Sequence, residues 1–204
     1  MQVGVVSDIH CNVEALQRAL AAMGPVERLL CLGDVINESQ FSNEVVALLR
    51  ERGAEVIRGN HEEVFFSSAG ARARERPWID AGHMRWLGER PASIELNLAG
   101  RSIVMVHSTP WFPSGDYVYP HSADLKRFGE VQADYVLYGH THVQMVRKVG
   151  RPLVVNPGSA GQRRNGLSLS CAVLELDTGG ARIVEFDLPQ AGDLPQPGAP
   201  DADA

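Results

Sequence analysis

The sequence predicts an α/β fold organised on parallel strands. Three observations carry this. The first half alternates apolar, strand-like runs with amphipathic helical patterns, each of the first three apolar runs ends in a polar loop, and the second half turns to hairpin-like strands. Strand, helix, strand, helix, strand implies parallel pairing with helices covering the sheet. With 204 residues, 44% of them hydrophobic, the chain can bury about 70% of its unfolded surface and suits one domain.

Composition also narrows the function. The three cysteines, Cys11, Cys31 and Cys171, make no paired framework and fit a reducing compartment. No basic leader with an apolar core opens the chain, and no apolar run reaches about 18 residues. The expectation is a soluble, cytoplasmic protein without a membrane partner. A balance of 19 basic against 25 acidic residues argues against stable nucleic-acid binding. An anionic substrate would need local positive charge, from metal ions or a few placed arginines.

In chain order, Val3-Gly4-Val5-Val6-Ser7-Asp8-Ile9-His10 reads as a strand whose tip delivers a carboxylate and an imidazole. Residues i and i+2 of a strand project to one side, so Asp8 and His10 could grip one ion. Chance supplies an Asp-x-His roughly 0.4 times at this composition, so the motif needs partners. Asn12 is a good N-cap for a helix carrying Val13, Leu16, Leu20 and Met23, which Gly24-Pro25 stops. A strand over 28–32 ends in Gly33-Asp34, a helix spans 42–52, and a strand over 55–58 ends in Gly59-Asn60-His61.

Beyond them, a helix is expected over 62–70, a charged stretch from Arg72 to Trp78 interrupts, and a short helix covers 80–88. Strands at 93–98 and 102–106 form a hairpin about Ala99-Gly100-Arg101, the second running into His107. A helix over 125–131 precedes a strand at 135–138 that ends in Gly139-His140-Thr141-His142. Strands at 143–148 and 153–155, a tight Asn156-Pro157-Gly158-Ser159 loop and a last hairpin of 169–176 with 182–188 complete a domain of residues 1–188. Residues 189–204 form a Pro/Ala/Asp-rich tail expected to be disordered.

Open parallel sheets bind ligands outside the carboxyl ends of their strands, which gives these loops a common location. Gly-Asn-His and Gly-His-x-His are each expected only about 0.02 times by chance. Five of the seven histidines, His10, His61, His107, His140 and His142, fall at expected strand ends beside Asp8, Asp34 and Asn60. A lone histidine is more often structural than a ligand, but five converging on strand tips reverse that reading. Mixed oxygen and imidazole donors suit transition ions such as manganese, iron or zinc better than calcium or magnesium.

Asp-x-His, Gly-Asp, Gly-Asn-His, a lone His and Gly-His-x-His, in that order, resemble the calcineurin-like metallophosphoesterases over residues 1–188. The short chain and the loop at Asn156 look most like the small prokaryotic branch, which includes cyclic-nucleotide and other phosphodiesterases. The resemblance implies a four-layer α/β/β/α sandwich with two mixed central sheets flanked by helices. It implies that Asp8, His10 and His142 bind one metal, that Asn60, His107 and His140 bind a second, that Asp34 bridges them, and that His61 is the catalytic acid. The two ions are expected to be manganese, with iron, nickel or zinc as alternatives, and two such ions clamp a phosphate and activate a water between them. Cys11 stands where the family usually has Gly.

The function so implied is a dinuclear-metal phosphoesterase, most simply a phosphodiesterase on nucleotides or related small phosphodiesters. The alternatives are a phosphomonoesterase, a phosphoprotein or dinucleoside-polyphosphate phosphatase, and a non-catalytic binding protein on the same fold; the complete ligand set favours an enzyme. Trp111-Phe112 could stack a nucleobase or merely cover the core, and Arg163 and Arg164 are candidates for phosphate contacts. Exposed strands or the Trp78 region are candidates for a homo-oligomer contact.

Overall fold

Alternation along the first strand decides where the two halves of the molecule meet. In β1 (Gln2–Val6), Val3 and Val5 join a core with Leu30, Leu32, Ile103 and Met105, whereas Val6 joins a different core with Leu16, Val45 and Phe65. Both faces of β1 are therefore covered, as expected of a central strand in a layered fold. The computed structural model describes residues 1–164 and 166–188; the expected tail lies outside the described residues.

The order is β1, α1 (Val13–Met23), β2 (Arg28–Cys31), α2 (Asn43–Glu51), β3 (Glu55–Val56), α3 (Asn60–Phe66), α4 (Ala71–Arg74) and α5 (Ala81–Gly88). It continues with β4 (Ser93–Leu98), β5 (Arg101–Val106), a 3₁₀ helix at Ala123–Glu130, β6 (Tyr135–Leu137), β7 (Met145–Lys148), β8 (Leu153–Asn156), β9 (Leu169–Glu175) and β10 (Gly180–Phe186). One five-stranded sheet runs β10-β9-β1-β2-β3 and the other β4-β5-β6-β8-β7. Strands β1, β2 and β3 pair in parallel, as do β5, β6 and β8, and antiparallel strands complete each sheet. The sheets face each other across the Val3–Ile103 core, helices cover the first sheet, and the 3₁₀ helix covers the second through Leu125 and Phe128.

The elements differ from expectation at several places, among them α3, which ends at Phe66, and α4, which falls largely within the stretch expected to interrupt. The strand expected at 55–58 is reduced to Glu55–Val56, because Arg58 turns its N–H to Pro91 O instead of a neighbouring strand. The helix after it starts at Asn60, so Asn60 and His61 sit on a first turn and not in a loop. The helix expected over 125–131 is a 3₁₀ helix. With i and i+3 eclipsed in that geometry, its two buried side chains, Leu125 and Phe128, lie on one line against the sheet.

Candidate metal centre

Strand β1 stops at Val6, and the backbone beyond it is not extended. Asp8 and His10 have φ of 53° and 49°, so both lie in the left-handed region, and the strand alternation expected to align them does not. The turn is held instead by backbone bonds to the neighbouring loop, Asp8 N–H to Gly33 O at 3.1 Å and His10 N–H to Asp34 O at 2.9 Å. Asp34, His140 and His142 are left-handed as well, at 50°, 66° and 58°. Left-handed backbone costs a non-glycine residue about 1 to 2 kcal/mol, so this centre is assembled against local preference by tertiary contacts.

Glycines set how closely the loops approach. A Cβ on Gly59 would lie 2.2 Å from Asp34 Oδ1, and one on Gly139 would lie 2.0 Å from Ser7 Oγ and 2.7 Å from Asp8 Oδ2. The glycines of Gly-Asn-His and Gly-His-x-His are thus required by contact with the opposite carboxylate. In return, His61 N–H donates to Asp34 Oδ1 at 3.0 Å and His140 N–H to Asp8 Oδ2 at 3.1 Å.

The side chains gather into two sets of donors. Donor atoms of Asp8, His10 and His142 lie within 4.8 Å of one another, and so do those of Asp34, His107 and His140. Asp34 also groups with His10 and His61, which puts it between the two sets. Asn60 Oδ1 lies 3.0 Å from His107 Nε2. His61 faces the centre with Nε2 3.8 Å from Asp34 Oδ2, and its ring packs edge-on to His10.

Partners on the far side of each ring decide which nitrogen faces inward. His10 Nδ1 lies 3.0 Å from Asn37 Oδ1, His107 Nδ1 2.7 Å from Leu32 O, and His142 Nδ1 3.4 Å from Gln162 O. Each partner is an acceptor, so in the neutral ring that a ligand needs each Nδ1 carries the hydrogen and each Nε2 presents a lone pair. In that form the Nε2 atoms of His10 and His142, 3.1 Å apart, meet lone pair to lone pair. Beside them the fully buried Asp8 Oδ1 has no hydrogen-bond partner among the described residues, at 3.3 Å from His142 Nε2. Facing acceptors around an unpartnered carboxylate oxygen fit a cation and little else.

Electrostatics agree. Burial alone would raise Asp8, but His142 and His107 outweigh it and hold the carboxyl well below the usual range. Burial likewise opposes the charge on His107, yet Asp34, 3.3 Å away, carries its pKa up to about 10. A proton on His107 thus stands where a metal ion would. Burial, with His107 adding to it, pushes His140 down to about 4, the neutral form a ligand needs.

Two organising residues carry no signal in a ligand motif. Glu62, fully buried, accepts Asp34 N–H and Gly59 N–H on Oε2 at 2.8 and 2.7 Å and Ile36 N–H on Oε1 at 3.0 Å. It locks the Gly-Asp loop to the first turn of α3, where an acidic residue three positions into a helix was its available signal. Asn156 donates to Gly139 O at 2.8 Å and Thr141 Oγ1 at 3.1 Å and accepts Gly158 N–H at 2.9 Å. It fixes the Gly139–His142 loop from below.

A cavity of about 320 Å³ opens beside the second donor set, lined by Arg58, Asn60, His107, His140, Trp111 and Phe112 among others. Arg58 Nε is buried without a hydrogen-bond partner among the described residues. Of the arginines singled out in the sequence, Arg163 pairs with Asp187 at 2.5 Å, and neither it nor Arg164 lines the cavity. Trp111 does line it, but Arg127 lies over its ring at 4.2 Å and Phe128 packs against it at 5.0 Å. The ring without such a cover is its neighbour Phe112. Among the described residues no helix is long and apolar enough to cross a membrane.

Comparison with known proteins gives the same fold and assigns the family. An uncharacterized protein of Methanocaldococcus jannaschii is 27% identical over 195 aligned positions, covering 81% of this chain and 79% of the relative. A metallophosphoesterase from Sphaerobacter thermophilus superposes with a TM-score of 0.74 at 23% identity, over 95% of this chain and 91% of that one. An archaeal phosphodiesterase superposes with a TM-score of 0.62 at 21% identity, over 91% of this chain and 100% of its own. The family model described as the calcineurin-like phosphoesterase superfamily domain matches residues 1–179; the chain belongs to that superfamily and is a phosphoester hydrolase.

Proposed function

We propose that the chain is a dinuclear-metal phosphodiesterase acting on small phosphodiesters, nucleotides or related molecules, with manganese as the preferred ion and iron, nickel or zinc as alternatives. The reading rests on one observation: two donor sets meet at Asp34, and the adjoining cavity lies on the side of His107 and His140, without His61 among its walls. Asp8, His10 and His142 would hold one ion, and Asn60, His107 and His140 the other, with Asp34 shared. When bound, two such ions neutralise phosphate charge and lower the pKa of the attacking water.

The remaining roles belong to the chain itself. Asn37, Leu32 and Gln162 hold His10, His107 and His142 with their lone pairs inward. Asn60 adds a donor oxygen without adding negative charge. Arg58, its Nε unpartnered, is the cation available to a phosphoryl oxygen and takes the role expected of Arg163 and Arg164. His61 accepts Glu38 N–H at Nδ1, 3.1 Å away, which leaves the ring hydrogen on Nε2, facing the centre. In that form His61 gives a hydrogen bond to the departing oxygen. Full proton transfer starts from the imidazolium, after Glu38 N–H has let go of Nδ1.

His61 marks the side of the leaving group, and the cavity supplies room elsewhere for a group that stays on phosphorus. Only a diester has one. Three unpaired thiols, Cys31 and Cys171 fully buried, support a cytoplasmic location. The test compares bis(p-nitrophenyl) phosphate with p-nitrophenyl phosphate, using chelator-treated protein resupplied with manganese. A higher kcat/KM on the diester is the expected result; turnover of the monoester alone would replace this reading with a phosphatase.

A further inference from the structure

Phe112 is 94% exposed, the most exposed large apolar side chain among the described residues, and it stands on the wall of the cavity beside the metal centre. A ring on the wall of a cavity beside a candidate ligand set offers its π face to a flat group bound there. Its backbone position is tied down on both sides. Trp111 is packed against Phe128 and beneath Arg127, with its indole N–H 3.3 Å from Asp116 Oδ2. Gly115 N–H donates to Ser108 Oγ at 2.8 Å, and Gly115 O accepts from His140 Nε2 at 3.2 Å. Tyr117 then stacks on His140 with ring centroids 3.9 Å apart. The loop that carries Phe112 is thereby registered to a residue of the second donor set.

The rest of the cavity has two characters. Its lining includes Arg58, Asn60 and His140, polar groups suited to a phosphate, and also the apolar Ala92, Val106 and Pro110. A volume of about 320 Å³ lies at the small end of ligand pockets, which run from roughly 300 to 1,000 Å³. It has room for one ring system attached to phosphorus.

We infer that this cavity takes the ester group that stays on phosphorus and that Phe112 stacks on a flat aromatic group there, so that the substrates are aryl or nucleoside phosphodiesters in preference to alkyl ones. The inference rests on the phosphodiesterase reading and names the substrate class of that site. A stacked ring suits any base because every base has a π face.

The experiment measures kcat/KM of the manganese-loaded protein on bis(p-nitrophenyl) phosphate and on methyl p-nitrophenyl phosphate. Both release p-nitrophenolate, and only the retained group differs. Phe112→Ala is expected to lower the aryl-to-methyl ratio of kcat/KM by about 5- to 100-fold, the range that alanine replacement of a base-stacking ring produces. Most of the loss should fall in KM for the aryl diester, and Phe112→Trp should restore the ratio. Thermal unfolding of the variants checks that an exposed substitution leaves the fold intact. A ratio unchanged in Phe112→Ala, with both diesters still hydrolysed, overturns this inference and leaves the phosphodiesterase reading standing. A wild-type protein that cleaves p-nitrophenyl phosphate and neither diester overturns both.

Discussion

Asn156 shows how much of this centre depends on a residue that touches no substrate. Its side chain is fully buried and makes three hydrogen bonds, to Gly139 O, Thr141 Oγ1 and Gly158 N–H. Asn156→Ala does not orphan all three. Gly139 O keeps Thr141 N–H at 2.7 Å and Thr141 Oγ1 keeps Val143 N–H at 3.2 Å. Gly158 N–H loses its side-chain acceptor, which costs about 1 to 3 kcal/mol, and the two lost donations add roughly 1 kcal/mol each. The expected destabilisation is therefore about 3 to 5 kcal/mol, read as a shift of the urea midpoint at constant slope. Because His140 and His142 ride on the same loop, manganese affinity should also fall by roughly 10- to 100-fold. Asn156→Asp separates packing from hydrogen bonding: it keeps the shape but turns an acceptor toward Gly139 O at neutral pH. Asn156→Asp with wild-type stability and metal affinity at pH 7 would refute the reasoning.

Three further outcomes are expected. Burial, with Asp34 beside it, pushes Glu62 up to about 7, so its neutral form is favoured on folding: the stability it confers is complete below the unfolded pKa of 4.5 and is lost as pH rises through about 7. In chelator-treated protein, the destabilisation caused by Glu62→Gln should shrink by about 2 to 3 kcal/mol between pH 5 and pH 8; a constant difference across urea titrations would contradict the raised carboxyl. His61→Ala should retain both metals by elemental analysis yet lose about 10²- to 10⁴-fold in kcat on substrates with poor leaving groups, and normal turnover on them would remove the acid role. Cys11, at φ 63°, occupies backbone that glycine adopts freely, so Cys11→Gly should gain up to about 1 kcal/mol by calorimetry, whereas a loss would mean that its Sγ packing outweighs the strain.

The family and the fold were legible because they rest on signals that survive in one dimension. Gly59-Asn60-His61 and Gly139-His140-Thr141-His142 are rare sequences, and the alternation through β1, α1, β2, α2 and β3 gave the parallel pairing of those three strands. The residues that tune the site were less visible. Arg58 has the pattern of a strand end, yet its N–H goes to Pro91 O. The arginine pair at 163 and 164 looked better placed because proximity to the Ser159 loop in sequence says nothing about where Asp187 lies. Trp111 and Phe112 are adjacent aromatics, and a one-residue choice of which faces inward depends on Phe128 and Arg127 far along the chain. Glu62 comes directly after two functional residues, so its burial under three backbone N–H groups was masked by them.

Asp8 and His10 are the more instructive case. Strand periodicity is not what brings them together, since both lie beyond Val6 on left-handed backbone. That conformation, repeated at Asp34, His140 and His142, breaks the local preferences that the rest of the chain obeys. Beside them sits Asp8 Oδ1, fully buried without a partner among the described residues. Strain and an unpartnered charge in one place both destabilise the metal-free fold, and both are offset by ligands that bind the folded chain alone. The features that make the centre hard to derive from pattern are therefore the ones whose cost a bound cation would offset. Local sequence rules fail here because a contact from outside the chain would supply part of the compensation.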